Sequence, residues 1–130
     1  MLLLDTHIWW WAISEPEHLS EEYLQILNNE SNTTKAVASI SIWEFAMMTT
    51  KGRIDLTIDP KEWFYHAIHE VGTKIIPLSV DIALDSCNLQ GNFHKDPADR
   101  IIVATAIKHN ALLITKDKKI LNYPHVNTFK

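Results

Sequence analysis

Short apolar runs alternate with helical segments along the chain, and this alternation limits the folds that are available to it. The runs cover residues 1–4, 36–39, 74–76 and 112–114, and a weaker run covers 126–128. Strands that alternate with helices pair as a parallel sheet, and the helices cover both of its faces. The sequence therefore predicts an α/β fold, a three-layer α/β/α sandwich around a central parallel sheet of four to five strands.

Capping residues mark where helices begin between these runs. Ser79 and Asp96 each precede a helical pattern, and Pro97 occupies the first helical position after Asp96. Ser41 and Glu44 have the spacing of a capping box, in which the two side chains bond the first turn reciprocally. Helices are expected over residues 8–13, 21–29, 41–51, 60–71, 80–90, 97–110 and 118–121.

Length and composition fit a single cytoplasmic domain over residues 1–130. The only cysteine, Cys87, excludes an internal disulfide and fits a reducing compartment. Asp5 and His7 interrupt the apolar start and no basic segment precedes it, so neither a leader peptide nor a membrane span is expected. The net charge of −4 argues against a nonspecific nucleic-acid binder unless several of the acids hold cations.

Acidic residues are expected to meet at one edge of the predicted sheet. Asp5 ends the first strand, and Asp117 follows the fourth. Glu44 and Asp99 lie in the first turns of two helices, one after the second strand and one that begins at Asp96. Right-handed crossovers bring the carboxyl ends of parallel strands to the same edge, where ligands bind in open α/β sheets. The order of the elements thus predicts a site that contains four carboxylates.

Crowded carboxylates favour a bound divalent cation, because their pKa values rise unless cations neutralise their mutual repulsion. Mg²⁺ and Mn²⁺ prefer oxygen ligands, and such ions support phosphodiester hydrolysis without a nucleophilic side chain. Each acid also has a purely structural explanation. Asp5, Asp96 and Asp117 could cap helices, Glu44 could complete its capping box, and Asp99 could interact with a helix dipole. Their shared location is what indicates a metal site.

Three longer segments contain the most specific patterns of the chain. They are LLLDTHIWWW over residues 2–11, SISIWEFAMM over 39–48 and HKDPADRIIVATAIKHNALLITKD over 94–117. Together they closely resemble the PIN-domain family, in particular the VapC-type toxins of type II toxin–antitoxin modules, over essentially the whole chain. The resemblance implies a three-layer α/β/α domain that cleaves RNA endonucleolytically with Mg²⁺ or Mn²⁺ as its cofactor.

The resemblance also implies roles for individual residues. The residues that match the catalytic, metal-binding quartet of the family are Asp5, Glu44, Asp99 and Asp117. Thr6 and Thr115 match small polar positions that would orient a carboxylate or water, and Asp96 belongs to the DPxDR pattern, where it supports the helix start. Arg100 and Lys116 lie near the acids in sequence and are candidates to bind phosphates of the RNA substrate, although a solvated basic loop is the alternative.

Consecutive tryptophans indicate a protein interface. Trp9, Trp10 and Trp11 lie on one predicted helix, where successive side chains point about 100° apart, so one core-facing stripe cannot bury all three. At least one is expected to contact a second subunit or a partner protein, the alternative being loops of the same chain. Toxins of the family commonly dimerise and are held inactive by an antitoxin, so the resemblance favours a homodimer with an antitoxin partner.

Alternative functions fit the sequence less well. His66 and His69 have a spacing that can bind zinc, but no further Cys or His pattern accompanies them. A signalling receiver domain would need an acidic pair after the first strand, where Asp5 stands alone. A catalytically inactive PIN-like scaffold would lack one or more of the four acids. DNA flap cleavage would need larger insertions than 130 residues allow.

Overall fold

A sheet of four parallel strands forms the centre of the protein, as the computed structural model shows for the residues that it describes, 1–29 and 34–130. The strands are β1 (Leu2–Leu4), β2 (Lys35–Ala38), β3 (Lys74–Ile76) and β4 (Leu112–Ile114). Their order is β3-β2-β1-β4, and Leu3 pairs with both Ala36 of β2 and Leu113 of β4. The predicted α/β fold with a parallel sheet is confirmed. The weaker run at 126–128 contributes one isolated bridge, between Leu113 and Thr128, instead of a strand.

Helices fill the connections between the strands. They are α1 (Thr6–Ser14), α2 (Glu21–Asn28), α3 (Ile40–Thr50), α4 (Pro60–Tyr65), α5 (Val80–Cys87), α6 (Pro97–Lys108) and α7 (Lys118–Leu121), with a 3₁₀ turn at Pro16–His18 and a π-helical turn at His66–Glu70. Each predicted helix is present. The ends differ from the prediction by no more than about three residues when the π-helical turn is counted as the continuation of α4, which by itself ends six residues early. No helix within the two described ranges has the length and apolar character to span a membrane.

Side-chain caps determine where two of these helices begin. Ser79 and Asp96 each accept a hydrogen bond from a backbone N–H in the first turn of the following helix, as predicted. The predicted capping box is wrong. Because α3 already begins at Ile40, Ser41 lies inside the helix and is fully buried, so it cannot act as the N-cap. The Glu44 side chain is therefore free of capping and available for another role.

Alternate residues of β1 pack into two separate cores, one on each face of the sheet. Leu2 and Leu4 belong to the core that contains residues of α1, α3 and α4, whereas Leu3 belongs to the core formed with α5 and α6. Successive side chains of a strand point to opposite faces, so a wholly apolar strand must be covered on both sides. These two cores make the three layers that the sequence predicts.

The tryptophan run is divided between the core and the surface. Trp9 is 0% exposed, its ring lies 5.0 Å from that of Trp63 in an edge-on contact, and its Nε1 donates to Thr73 Oγ1 at 3.1 Å. Trp10 and Trp11 are only half-buried, because the turn of α1 directs them away from the position that Trp9 occupies. Only Trp9 is therefore fully buried, whereas Trp10 and Trp11 pack against the edge of the same core and keep part of their surface exposed.

Replacing Trp9 with alanine should lower the free energy of unfolding by about 3–5 kcal/mol, because it leaves a large cavity and an unpaired Thr73 hydroxyl. Urea denaturation followed by circular dichroism measures the change. The matched control is Tyr65→Ala, whose side chain is 61% exposed and whose loss should cost less than about 1 kcal/mol. Equal costs for the two variants would contradict the assignment of Trp9 to the core.

Candidate active site

Acidic side chains from separate segments line one pocket at the carboxyl edge of the sheet. Asp5 directly follows β1 and Asp117 follows β4, while Glu44 lies on α3 and Asp99 lies in the first turn of α6. The full lining consists of Asp5, His7, Ile8, Trp11, Glu44, Asp96, Asp99, Lys116 and Asp117. The structure thus brings the four predicted acids together, and it places Asp96 and Lys116 beside them.

Asp5 is held by hydrogen bonds to both of its carboxylate oxygens. Oδ1 accepts from the backbone N–H of Thr6 at 2.8 Å, which caps α1, and Oδ2 accepts from Thr115 Oγ1 at 2.7 Å. The backbone N–H of Asp5 also donates to the carbonyl of Ile114 in β4, at 3.0 Å. The carboxylate is therefore fixed between two neighbouring strands and cannot rotate without breaking these bonds.

Glu44 lines the pocket and contacts the buried hydroxyl of Thr6, which in turn contacts the hydroxyl of Ser41. Thr6 Oγ1 donates to Glu44 Oε1 at 2.5 Å and lies 2.9 Å from Ser41 Oγ. Thr6 and Ser41 are both 0% exposed, so this contact is shielded from water. Thr6 and Thr115 thus each donate to one carboxylate of the pocket, Thr6 to Glu44 and Thr115 to Asp5, and their part in a reaction stays a prediction.

Asp99 contacts a histidine that the sequence gives no role. Asp99 Oδ2 lies 2.9 Å from His94 Nε2, and the two side chains are 16% and 22% exposed. The Nε2 atom is buried and lies outside hydrogen-bonding geometry, so the contact is electrostatic. The backbone N–H of Asp99 donates to Asp96 Oδ1 at 3.0 Å, which holds the first turn of α6 against the pocket.

Arg100 holds the segment that carries His94. Its Nε donates to the carbonyl of Ser86 at 2.8 Å, and its Nη1 donates to the carbonyls of Phe93 and His94 at 3.1 and 3.2 Å. These bonds give the guanidinium a structural role, and phosphate binding by Arg100 stays a prediction. Lys116 is exposed and lines the pocket, so it is the better placed of the two predicted cations.

Asp117 caps α7 and also lines the acidic pocket. Its Oδ1 accepts from the backbone N–H groups of Lys119 and Ile120, at 2.8 and 3.3 Å, and so caps α7. Its own backbone N–H donates to Thr115 Oγ1 at 3.1 Å, which links it to the hydroxyl that holds Asp5. The cap fixes Asp117 at the pocket rather than removing it from the site.

Burial and mutual repulsion raise the pKa values of three of these carboxyls. Burial is the main cause for Asp5, and hydrogen bonds from Thr115 and Thr6 partly oppose it. Burial also raises the pKa of Glu44, with contributions from the charges of Asp5 and Asp96 against the bond from Thr6. For Asp99, burial and then the surrounding acids raise the pKa to about 7. These three carboxyls therefore release their protons less readily than free carboxyls do.

The donor set suits a hard divalent cation. The carboxylates supply oxygen ligands only, which Mg²⁺ and Mn²⁺ prefer. Among the described residues, no three of the pocket acids place ligand atoms within 4.8 Å of one another, whereas Glu15, Glu17 and His18 do so on the exposed surface. Like charges keep apart in the absence of a neutralising ion. The pocket acids thus fit a cation that would draw them closer.

Sequence reasoning missed two features of the pocket. The first turns of α1 form one wall, with His7, Ile8 and Trp11 facing the acids. A usable signal was present, because residues three and four positions apart share one face of a helix, and α1 begins directly after Asp5, its N-cap. The other missed feature is the direct contact of His94 with Asp99. The sequence allows His94 to approach the acidic edge without assigning it chemistry, and the contact itself depends on the path of a loop and has no local signal.

Stability without divalent cations should fall as the pH rises from about 4 to about 7. In this range the folded protein keeps a proton on Asp99, whose pKa is raised to about 7, whereas the unfolded chain releases it near the ordinary aspartate value of 3.8. Asp99→Asn should remove the part of this dependence that Asp99 contributes, leaving the parts of Asp5 and Glu44, and should stabilise the protein at pH 7.5 by on the order of a few kcal/mol. Urea denaturation in EDTA at several pH values measures both effects.

The control for that measurement is Asp81→Asn, which removes an exposed carboxylate of α5 that faces Lys108. Its unfolding curve should keep the pH dependence of the wild type. Parallel curves for the wild type and Asp99→Asn between pH 5 and 7.5 would contradict the raised pKa of Asp99.

Comparisons with known proteins agree with this geometry. The profile of the PIN domain family matches residues 2–126. Ribonuclease VapC22 of Mycobacterium tuberculosis (strain ATCC 25618 / H37Rv) is 35% identical over 124 residues, which cover 95% of this chain and 92% of that protein.

Solved structures share the fold at lower sequence identity. A toxin–antitoxin complex from Klebsiella pneumoniae is 24% identical with a TM-score of 0.67, over 100% of this chain and 97% of that one. A second match is the crystal structure of VapBC2 from Rickettsia felis bound to a DNA fragment from the VapBC2 promoter. It is 22% identical with a TM-score of 0.72, and the match covers 98% of this chain and 96% of that one. With the family profile matching nearly every residue and the acids gathered at the expected edge of the sheet, the chain belongs to the PIN domain family.

Proposed function

We propose that this protein is a Mg²⁺- or Mn²⁺-dependent endoribonuclease and the toxin of a VapBC-type toxin–antitoxin pair. The observation that carries the proposal is the pocket itself, where carboxylates from four separate segments meet. Burial, and then the charges of the neighbouring acids, raise the pKa of Asp99 there to about 7. The relative at 35% identity is named a ribonuclease, which supports RNA as the substrate.

Asp5 and Asp99 are the residues best placed to hold the metal, with Glu44 and Asp117 completing the set. A bound divalent cation supplies positive charge that activates water and stabilises charge on the phosphodiester during hydrolysis. Among the described residues that line the pocket, none offers a hydroxyl or thiol nucleophile. Water is therefore the nucleophile in this proposal, and the product would be two RNA fragments.

The remaining polar residues position the carboxylates and the substrate. Thr115 fixes Asp5, and Thr6 fixes Glu44, so that both carboxylates keep their orientation when substrate enters. Lys116 lies on the rim and would bind a phosphate that flanks the cleaved bond. This division of roles lets a pocket rich in negative charge accept a polyanion, because the cation and Lys116 offset its field.

Exposed apolar side chains support the proposal of a homodimer that binds an antitoxin. Trp43 is 57% exposed, Val80 is 76% exposed and Leu84 is 59% exposed. The backbone N–H of Leu78 donates to Ser39 Oγ, which places the residues before α5 next to the start of α3. Large apolar side chains on neighbouring elements favour burial against a partner. We further propose that residues 1–130 act as one domain in the cytoplasm.

Asp5→Asn and Asp99→Asn should each reduce RNA cleavage at least about 100-fold, because each removes a ligand charge from the pocket while keeping the shape of the side chain. The measurement is the rate of cleavage of a labelled single-stranded RNA in Mg²⁺ or Mn²⁺. Circular dichroism checks that each variant is folded. Asp81→Asn is the matched control and should keep the wild-type rate. Full activity in either pocket variant would contradict the assigned ligands.

Removing the metal should abolish cleavage, and returning Mg²⁺ or Mn²⁺ should restore it. Isothermal titration of the EDTA-treated protein with Mn²⁺ should show binding in the wild type and much weaker binding in Asp99→Asn. These two readouts also separate the enzyme from a catalytically inactive PIN-like scaffold. A scaffold would show no cleavage under either condition, and a metal-independent nuclease would continue to cleave in EDTA.

A further inference from the structure

An aromatic surface lies beside the acids and takes no part in holding them. Trp11 lines the same pocket as the carboxylates. The ring of His18 stacks on the Trp11 indole, with centroids 5.2 Å apart and planes 23° apart. Lys116 Nζ lies 5.8 Å from the Trp11 ring and 6.0 Å from the Tyr23 ring. We call the group of Trp11, His18, Tyr23 and Lys116 the aromatic wall.

Contacts within the same chain hold this wall in place. Tyr23 Oη donates to the carbonyl of Thr115, at 3.0 Å, and so ties the wall to the residue that holds Asp5. His18 Nε2 lies 3.1 Å from Glu15 Oε1, and the His18 side chain remains 48% exposed. Trp11 itself is half-buried, with part of its surface open to the pocket. The rings therefore form a fixed surface that a ligand could use.

We propose that the aromatic wall binds a nucleobase of single-stranded RNA next to the cleaved phosphate, with Trp11 as the stacking residue. The inference rests on the proposed ribonuclease function and names how that site would hold its substrate. Single-stranded nucleic acids bind where aromatic rings lie beside cationic side chains, because the rings stack on bases and the cations contact phosphates.

The position of Lys116 favours a nucleotide over an apolar protein segment. Its ammonium group lies 5.8 Å from the Trp11 ring and 6.0 Å from the Tyr23 ring, and Lys116 also lines the acidic pocket, so a phosphate that it binds would stand near both. A base attached to that phosphate would lie against the Trp11 indole. An apolar peptide would instead have to desolvate the Lys116 charge without pairing it, which is unfavourable.

The first test uses RNA with and without bases. The probes are a fluorescent uridine octamer and an abasic ribose-phosphate octamer with the same charge, and their binding is measured by fluorescence anisotropy in Ca²⁺. The wild type should bind the uridine octamer about tenfold more tightly than the abasic one, because only the former can stack. Trp11→Leu should lose this preference, and Trp11→Phe should keep most of it, since phenylalanine preserves a stacking ring.

The second test is kinetic and uses the RNA that the wild type cleaves. Trp11→Leu should raise KM about tenfold with little change in kcat, because stacking holds the substrate without touching the reacting atoms. Trp10→Leu is the matched control, since Trp10 is the half-buried neighbour on α1 that does not line the acidic pocket. Its KM should stay within about twofold of the wild-type value.

The outcomes distinguish this inference from the proposed function. If the wild type cleaves no RNA, the proposed function fails, while the anisotropy comparison still decides whether the wall binds bases. If Trp11→Leu keeps the preference for the uridine octamer, the stacking role is overturned. It is also overturned if Trp11→Leu binds both octamers as the wild type does and loses affinity only for a protein partner. The wall would then belong to a protein interface.

Discussion

Repulsion among carboxylates at the edge of the sheet is the interaction on which the site depends. Burial and the neighbouring acids raise the pKa of Asp99 to about 7, while hydrogen bonds from the protein prevent Asp5 and Glu44 from turning away. The protein thus holds like charges near one another in a partly dry pocket. A divalent cation relieves this unfavourable energy, because its charge inverts the local field. Under the proposed function, the fold itself would supply this affinity for a cation before any substrate arrives.

The parts of the fold that local chemistry determines could be predicted from the sequence. The strand β1 is a short apolar run buried on both faces, and Asp96 with Pro97 defines the start of α6 by a cap that needs only neighbouring residues. Once the strands are known to be parallel, their carboxyl ends must share an edge. That is why Asp5 and Asp117, although far apart in sequence, could be placed together before the structure was known.

Contacts between distant residues could not be predicted in the same way. The start of α3 shows the limit, because the Ser41 and Glu44 spacing fits a capping box, yet the buried Thr6 hydroxyl contacts both side chains instead. No local pattern encodes a bond across 38 positions. The same holds for His94, which reaches Asp99 only because Arg100 holds the carbonyls of the preceding loop. The packing of distant segments decides such contacts, and the helix or turn propensity of neighbouring residues does not.

Capping and metal binding are compatible roles for the same carboxylate, and this changes how such residues should be interpreted. Asp96 and Asp117 each accept their capping bonds through Oδ1, and the cap fixes the direction in which the rest of the carboxylate points. A rotating side chain would lose conformational entropy when it bound a cation, whereas a capped one has already lost it on folding. A structural explanation for an acid at a helix start therefore supports, instead of weakening, its place in a metal site when other acids share the pocket.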